Sequence, residues 1–394
     1  MHRILKKLAR LKLFLLALIV SANTCNAQFF EQTPLHLFKD RNSNPITCGK
    51  VIDLDDNKIK VQNGLGKQIV ILIKDLESED QRFVKSIRTS LKVFQKQKLD
   101  ADKSFLRLDS NSPAIKKKAL KKIESQGNAA QHLSKDLAEL TLKTENVQLA
   151  GLTLLTFMKV CPKNDISFNR IFFILEKRRD LAKQIEQSPL EFLEHLARFG
   201  PKADQLLIQV SYSGELVFFD KNTENIDSPK LLTTTNGPKN QVRAMGCQSL
   251  AQIRTANANN AILAVANTAA TPINGRIDRS TILSILIGLK AAGRANSTFA
   301  TFPATIKSEF PREFQAWLIA YKQIQNYERE QAKLLESSKM QNFHNRNGKF
   351  LVRGNVAKIE DGRVLIIDVD QKQYAVEITQ LSTTDQERIL KANN

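Results

Sequence analysis

Two stretches of the chain alternate apolar and other residues at a period of two. Near the start the apolar positions are Val51, Ile59, Val61, Ile69, Ile71 and Ile73, and near the end Val356, Val364, Ile366, Tyr374, Val376 and Ile378. Such alternation predicts strands buried on one face. Asp56-Asn57 and Asp361-Gly362 are residue types that tolerate positive φ, so they predict hairpin turns between the strands. Ser78 and Thr383 predict the start of a short helix after each set. Between the two stretches the spacing becomes helical. Ile115, Ala119, Leu120 and Ile123 fall on one face of a helix that Pro113 opens and Gly127 stops, and a second helix follows from Ala129.

The two alternating stretches are copies of each other. Residues 38–81 match residues 343–386 without a gap at an offset of 305, with 12 of 44 positions identical. Twisted strands and tight turns in about 50 residues predict a small barrel. The second copy carries Phe343, Arg346, Gly348-Lys349-Phe350, Asp361-Gly362 and Leu381-Ser382-Thr383-Thr384-Asp385-Gln386. The first carries Phe38, Arg41, Leu76 and Asp80-Gln81, with Ser43 and Pro45 in place of the second copy's Gly and Phe. This pattern resembles the first-type homology domain of the yeast Sla endocytic adaptor, although both copies have Phe where that family often has Trp. The resemblance implies an SH3-like barrel that binds peptides and carries no chemistry. It also implies Phe38, Arg41, Phe343 and Arg346 as ligand-binding candidates.

The middle, residues 87–338, is helix-rich. Val147, Gly151, Leu152 and Leu155 repeat the spacing of Ile115, Ala119, Leu120 and Ile123, and Gly200 and Ala203 repeat Gly127 and Ala130. Val242-Arg243 with Gly246-Cys247 and Leu250, and then residues 279–293, continue the series. These units resemble HEAT-type repeats, which implies a stacked α-solenoid; a non-repeating helical domain is the other reading. Residues 205–240 interrupt the helices, either as a hairpin across Ser213-Gly214 or as a helix and a loop. Pro311 predicts a long helix through Trp317, Leu318, Tyr321, Ile324 and Tyr327 to Ser337, forming a stem, with Trp317 in the core. The predicted fold class is multidomain α+β, with SH3-like barrels at 34–86 and 339–394 and an all-α HEAT-like solenoid over 87–338.

Composition adds compartment and charge. Among 394 residues, 42% are hydrophobic and 25% charged, which excludes a collagen-like, mucin-like or wholly disordered chain. Arg3, Lys6, Lys7, Arg10 and Lys12 precede an apolar run from Leu13 to Val20, and small residues end at Ala27. Residues 1–27 therefore predict a secretory signal peptide, and with it an exported protein, periplasmic or extracellular. A buried first helix is the alternative, and Cys25 lies in a poor lipobox. No later stretch reaches about 18 apolar residues, so no membrane span is expected.

Cleavage would reduce the formal charge from +19 to +14, since it removes five cations and no acids. Residues 85–124 hold 12 Lys/Arg and four acids, which is +8 of that balance. Lys117, Lys118, Lys121 and Lys122 fall on the solvent side of their predicted helix. They suit an acidic protein, anionic lipid or glycan as partner, unless they are a plain solvated face. Nucleic acid is disfavoured by the predicted export and by the lack of interleaved aromatics.

Catalytic signatures are missing: there is no GxSxG and no HExxH. Gly64-Leu65-Gly66-Lys67 reads as a hairpin turn rather than a phosphate loop, and Asp53, Asp55 and Asn57 lack the Gly and Glu of a calcium loop. His36, His132, His195 and His344 show no His–His metal spacing, and nothing local supports a pairing of Cys161 or Cys247 with His195. Cys48, Cys161 and Cys247 sit among apolar neighbours and predict buried thiols. No cofactor and no metal site is expected. The sequence thus points to a non-enzymatic exported scaffold that binds protein segments or peptides. Attachment to an anionic surface through residues 85–124 is the alternative, and an unrecognised enzyme is the third reading.

Overall fold

The computed structural model describes residues 27–187, 189–214, 217–219, 231–233, 239–272, 276–292, 302 and 304–392. The predicted signal segment lies outside them, apart from Ala27. The chain divides into two compact units: the part up to Lys96 together with Tyr327 onward, and Gln97–Asn326. The two divisions fall inside the two 29-residue helices, Ser78–Leu106 and Pro311–Lys339. The first of these far exceeds the short helix predicted from Ser78, and the second fits the long helix predicted from Pro311.

The unit formed by the two ends contains both predicted β stretches. Strands β1 (His36–Lys39), β2 (Pro45–Leu54), β3 (Lys58–Asn63) and β4 (Gln68–Leu72) form an antiparallel meander in that order. In the middle of the chain, β5 (Val217–Phe219) pairs with β6 (Leu231–Thr233). Near the end, β7 (Gln341–His344), β8 (Phe350–Glu360), β9 (Arg363–Ile367) and β10 (Gln373–Glu377) form a second meander. The period-two alternation holds at most of its positions, but Val356 and Tyr374, predicted on the buried face, are 40% and 36% exposed. Val51, Ile59, Val61 and Ile71 meet Phe38 and Leu76 in one core, and Val364 and Ile366 meet Phe343 and Leu381 in the other.

Neither sheet closes. In each meander the first and last strands are the outer members, so the predicted SH3-like barrels are not formed and the resemblance to the Sla homology domain is not upheld. The physical reason lies in the helix after each set of strands. The apolar face of β1–β4 is covered by Val84 and Ile87 of the Ser78–Leu106 helix, and that of β7–β10 by Ile389 of the Thr383–Ala392 helix. A helix laid on the open face buries what barrel closure would otherwise seal.

The repeat extends to single hydrogen bonds. Asp80 accepts the main-chain N–H of Lys39 at 2.5 Å, and Asp385 accepts that of His344 at 2.7 Å, each across 41 positions. Gln81 and Gln386 donate to the carbonyl oxygens of Leu76 and Leu381 at 2.8 and 2.7 Å. Both copies bulge at the same places, after Phe38 and Phe343 and after Val51 and Val356. Ser43 takes φ +62 where the other copy has Gly348 at φ +72, so the first copy makes the same turn without glycine.

Among the described residues the second unit is helical apart from the β5–β6 pair, and its buried residues form one continuous core that includes Trp317. Asn146, Asn164 and Thr255 each cap a helix by accepting a main-chain N–H three residues on. Helix Pro113–Ser125 and helix Pro189–Ala197 are each followed by a 3-10 turn, Gly127–Leu133 and Gly200–Ala203, and then by a further helix. The matched Ala130 and Ala203 are both fully buried. These pairs are helical as predicted, but a regular solenoid is not shown: helix Lys239–Leu250 packs on Pro189–Ala197, Asp204–Ser213 and Arg279–Ala292 together. Residues 204–213 form a helix that Gly214 ends at φ +66, which replaces the hairpin considered across Ser213-Gly214. Ile115, expected on the inner face of its helix, is 46% exposed. The remaining members of that face, Ala119, Leu120 and Ile123, are buried.

Candidate functional site

The residues inferred from the sequence fall into three environments. Phe38 and Phe343 are 0% and 1% exposed within the two sheet cores, so neither offers a ring face to a ligand. Arg41 and Arg346 are exposed on the turns after β1 and β7. The Arg41 Nε donates to the Lys74 carbonyl at 2.7 Å, and its side chain borders a groove of about 420 Å³ with Ser43, Glu77 and Glu79. Lys117, Lys118, Lys121 and Lys122 are all exposed on helix Pro113–Ser125, as the helical spacing required.

The two sheet modules meet at a polar junction. Arg353 on β8 donates to the Ser337 carbonyl at 2.7 Å and to the Asn342 side-chain oxygen at 2.7 Å. Asn342 in turn donates to the carbonyl oxygens of Pro45 and Ile46 on β2. Cys48 lies beside this cluster and donates to the Leu334 carbonyl at 3.1 Å. Burial pushes its thiol up from the ordinary range, against the pull of the Arg353 charge. The three described cysteines, Cys48, Cys161 and Cys247, are buried and unbonded, as predicted. Cys247 is pushed up to about 12 by burial.

One grouping of ionisable side chains in the helical unit was not found from the sequence. A groove of about 440 Å³ runs between helices Pro113–Ser125, Val147–Val160 and Pro189–Ala197, lined by Lys117, Lys121, Glu124, Lys159 and Glu191 among others. Glu124 takes the Lys159 ammonium at 2.7 Å. Glu191 and His195 stand one turn apart on one helix face, with Glu191 Oε1 3.9 Å from the imidazole Nε2. The ligand atoms of Glu124, Glu191 and His195 lie within 4.8 Å of one another. His195 is 6% exposed, and its Nε2 has no hydrogen-bond partner among the described residues. Burial pushes the Glu191 carboxyl up, and the neighbouring Glu124 charge adds to it. Burial drives the His195 imidazole down to about 3, helped by Lys159, Arg198 and Lys163, so the ring is neutral near pH 7. The sequence signal was the Glu191–His195 spacing of four on an amphipathic helix. A search for His–His spacing passes over it.

The other three described histidines also meet carboxylates: His36 with Asp80, His132 with Asp102 and His344 with Asp385. No helix among the described residues is long and apolar enough to cross a membrane. Compared with known proteins, the chain matches no protein-family model, no curated protein and no solved structure.

Proposed function

We propose that this chain is a non-enzymatic adaptor that binds extended protein segments along the edges of its two sheets. The observation that carries this reading is the exposure of apolar side chains on the outer strands β4 and β10. Val70 and Leu72 are 57% and 42% exposed, and Tyr374 is 36% exposed. An outer strand has unpaired main-chain donors and acceptors, and an added segment uses them while its alternate side chains cover the apolar ones. The duplication supports a bivalent arrangement, in which two weak segments of one partner gain from being held together. In the helical unit, Gly246 packs where a Cβ would meet Val210 and the main chain of Ser211. That close helix contact favours a HEAT-like stacking as the framework.

The test is binding of extended peptides from an unbiased display library by the full chain, compared with V70K/L72K and Y374K. Selected peptides that lose at least about tenfold in affinity with either variant support the reading. Equal affinity in all three proteins rejects it.

A second reading is favoured by the four exposed lysines of helix Pro113–Ser125: attachment to an anionic surface. It predicts vesicle binding that falls steeply with salt and is abolished when Lys117, Lys118, Lys121 and Lys122 become Glu. Salt-independent binding, or binding unaffected by the charge reversal, sinks it. We place the protein outside the cytoplasm on the pattern of residues 1–27. Sequencing the N-terminus of the protein from its native host tests that, with Gln28 as the expected first residue.

A further inference from the structure

The geometry points to a divalent transition-metal site formed by Glu124, Glu191 and His195. Its first support is the donor set. One imidazole nitrogen and two carboxylates form a mixed N/O set that suits Zn²⁺ and its neighbours, whereas Ca²⁺ and Mg²⁺ favour oxygen ligands alone. Its second support is His195 itself. A buried ring nitrogen without a partner leaves a polar atom unsatisfied, which is costly unless something occupies its lone pair. That nitrogen lies close to the Glu191 carboxylate, and the three ligand atoms fall within 4.8 Å of one another.

Metal bonds of about 2.0–2.2 Å require these atoms to close up by roughly an ångström. The two carboxylates have the freedom to do so. The Glu124 and Glu191 side chains retain 23% and 42% of their exposure, while the His195 ring is fixed by burial. The groove lined by Glu124 and Glu191 is the route by which an ion enters, and it leaves room for water in the fourth coordination position. Two carboxylates balance the dication. The Lys159 ammonium, 2.7 Å from Glu124, competes with it. The bound ion would tie helix Pro113–Ser125 to helix Pro189–Ala197.

The proposal is tested by titrating Zn²⁺ into the chelator-stripped full chain by calorimetry, alongside E191Q, H195Q and K159M. The expected result is a saturable site that weakens by at least about tenfold in E191Q and H195Q. It tightens in K159M, because a competing cation is removed. E191Q alters a partly exposed side chain without changing its shape, so it reports on the site even if H195Q does not fold. Zinc binding to thiols elsewhere would be the same in E191Q as in the parent. Equal affinities in E191Q and the parent, or no binding in the parent up to about 100 μM Zn²⁺, overturn the proposal.

Discussion

Cys48 and Arg353 occupy the same position in the two repeats and both lie at the junction of the sheet modules, where the Arg353 charge pulls against the burial that raises the Cys48 thiol. One position has thus acquired two chemistries. The thiol serves as a small buried group, and the guanidinium holds the Ser337 carbonyl and the Asn342 side chain. Arg353→Ala should leave the half-buried acceptors of this junction without their donor. A loss of about 2–4 kcal/mol in denaturant unfolding is expected. Arg353→Lys should recover only part of it, since a single ammonium does not reproduce the fork of donors. A loss below about 0.5 kcal/mol for the alanine variant would show that the junction contributes little.

Asp80 and Asp385 invite a paired test. Each carboxylate is buried and accepts a main-chain N–H from the first strand of its module, so each ties the following helix back to the sheet. Asp80→Ala and Asp385→Ala should each cost about 2–4 kcal/mol, because a buried donor loses a charged acceptor. Asn at either position should cost less, since its amide oxygen can still accept. Urea unfolding of the four variants measures this, and a harmless alanine at both positions would contradict it.

The strands were legible because their alternation is strict at Val51, Val61, Val364 and Ile366. The turns were legible at Asp56-Asn57 and Asp361-Gly362, residue types that tolerate the reversal between strands, whereas the turn at Ser43 and Gly348 showed only in the structure. Barrel closure was not legible, because it depends on whether β1 can reach β4, and no residue in either strand encodes that distance. The helix after β4 decides it, by placing Val84 and Ile87 on the open face. The junction was hidden for another reason. Asn342 and Arg353 read as ordinary polar strand positions, and their partners Pro45, Ile46 and Ser337 come from other elements. The metal candidate was half visible: Glu191 and His195 share a helix, but Glu124 comes from another helix much earlier in the chain.

Two glycines of the second module separate backbone conformation from crowding. Gly348 sits at φ +72 with open space where a Cβ would be, whereas a Cβ on Gly354 would strike the Ile367 carbonyl on the adjacent strand. Gly348→Ala should cost about 1–2 kcal/mol, the strain of a left-handed conformation with a Cβ. Gly354→Ala should cost more, because β9 must move away from β8 and break ladder bonds. Thermal unfolding of both variants tests the order, and a Gly348→Ala that is the more damaging of the two would reverse the argument.

Lys163 gives the molecule a pH dependence whose direction can be worked out. Burial lowers its ammonium from the ordinary 10.5 to about 8, and the Arg198 charge adds to this, while the Cys161 thiol pulls the other way. The ammonium donates to the Met158 carbonyl and lies 4.7 Å from the Phe199 ring centre. Below pH 8 the lysine is charged in both the folded and the unfolded chain, and the folded state bears the cost of holding a half-buried charge. Between about 8 and 10.5 the unfolded chain binds more protons than the folded one, so this group's contribution to stability rises with pH and then levels off. The Cys161 thiol, raised above its ordinary 9.0 by burial, acts in the opposite direction at high pH; Lys163 holds it down, so the Met variant raises it further and loses more stability there. Lys163→Met should therefore be more stable than the parent at pH 7, by up to about 3 kcal/mol. That advantage should shrink as the pH approaches 10.5. Urea unfolding of both proteins at pH 7, 8.5 and 10 would measure it. An advantage that stays constant or grows with pH would show that the ammonium is not held down by burial.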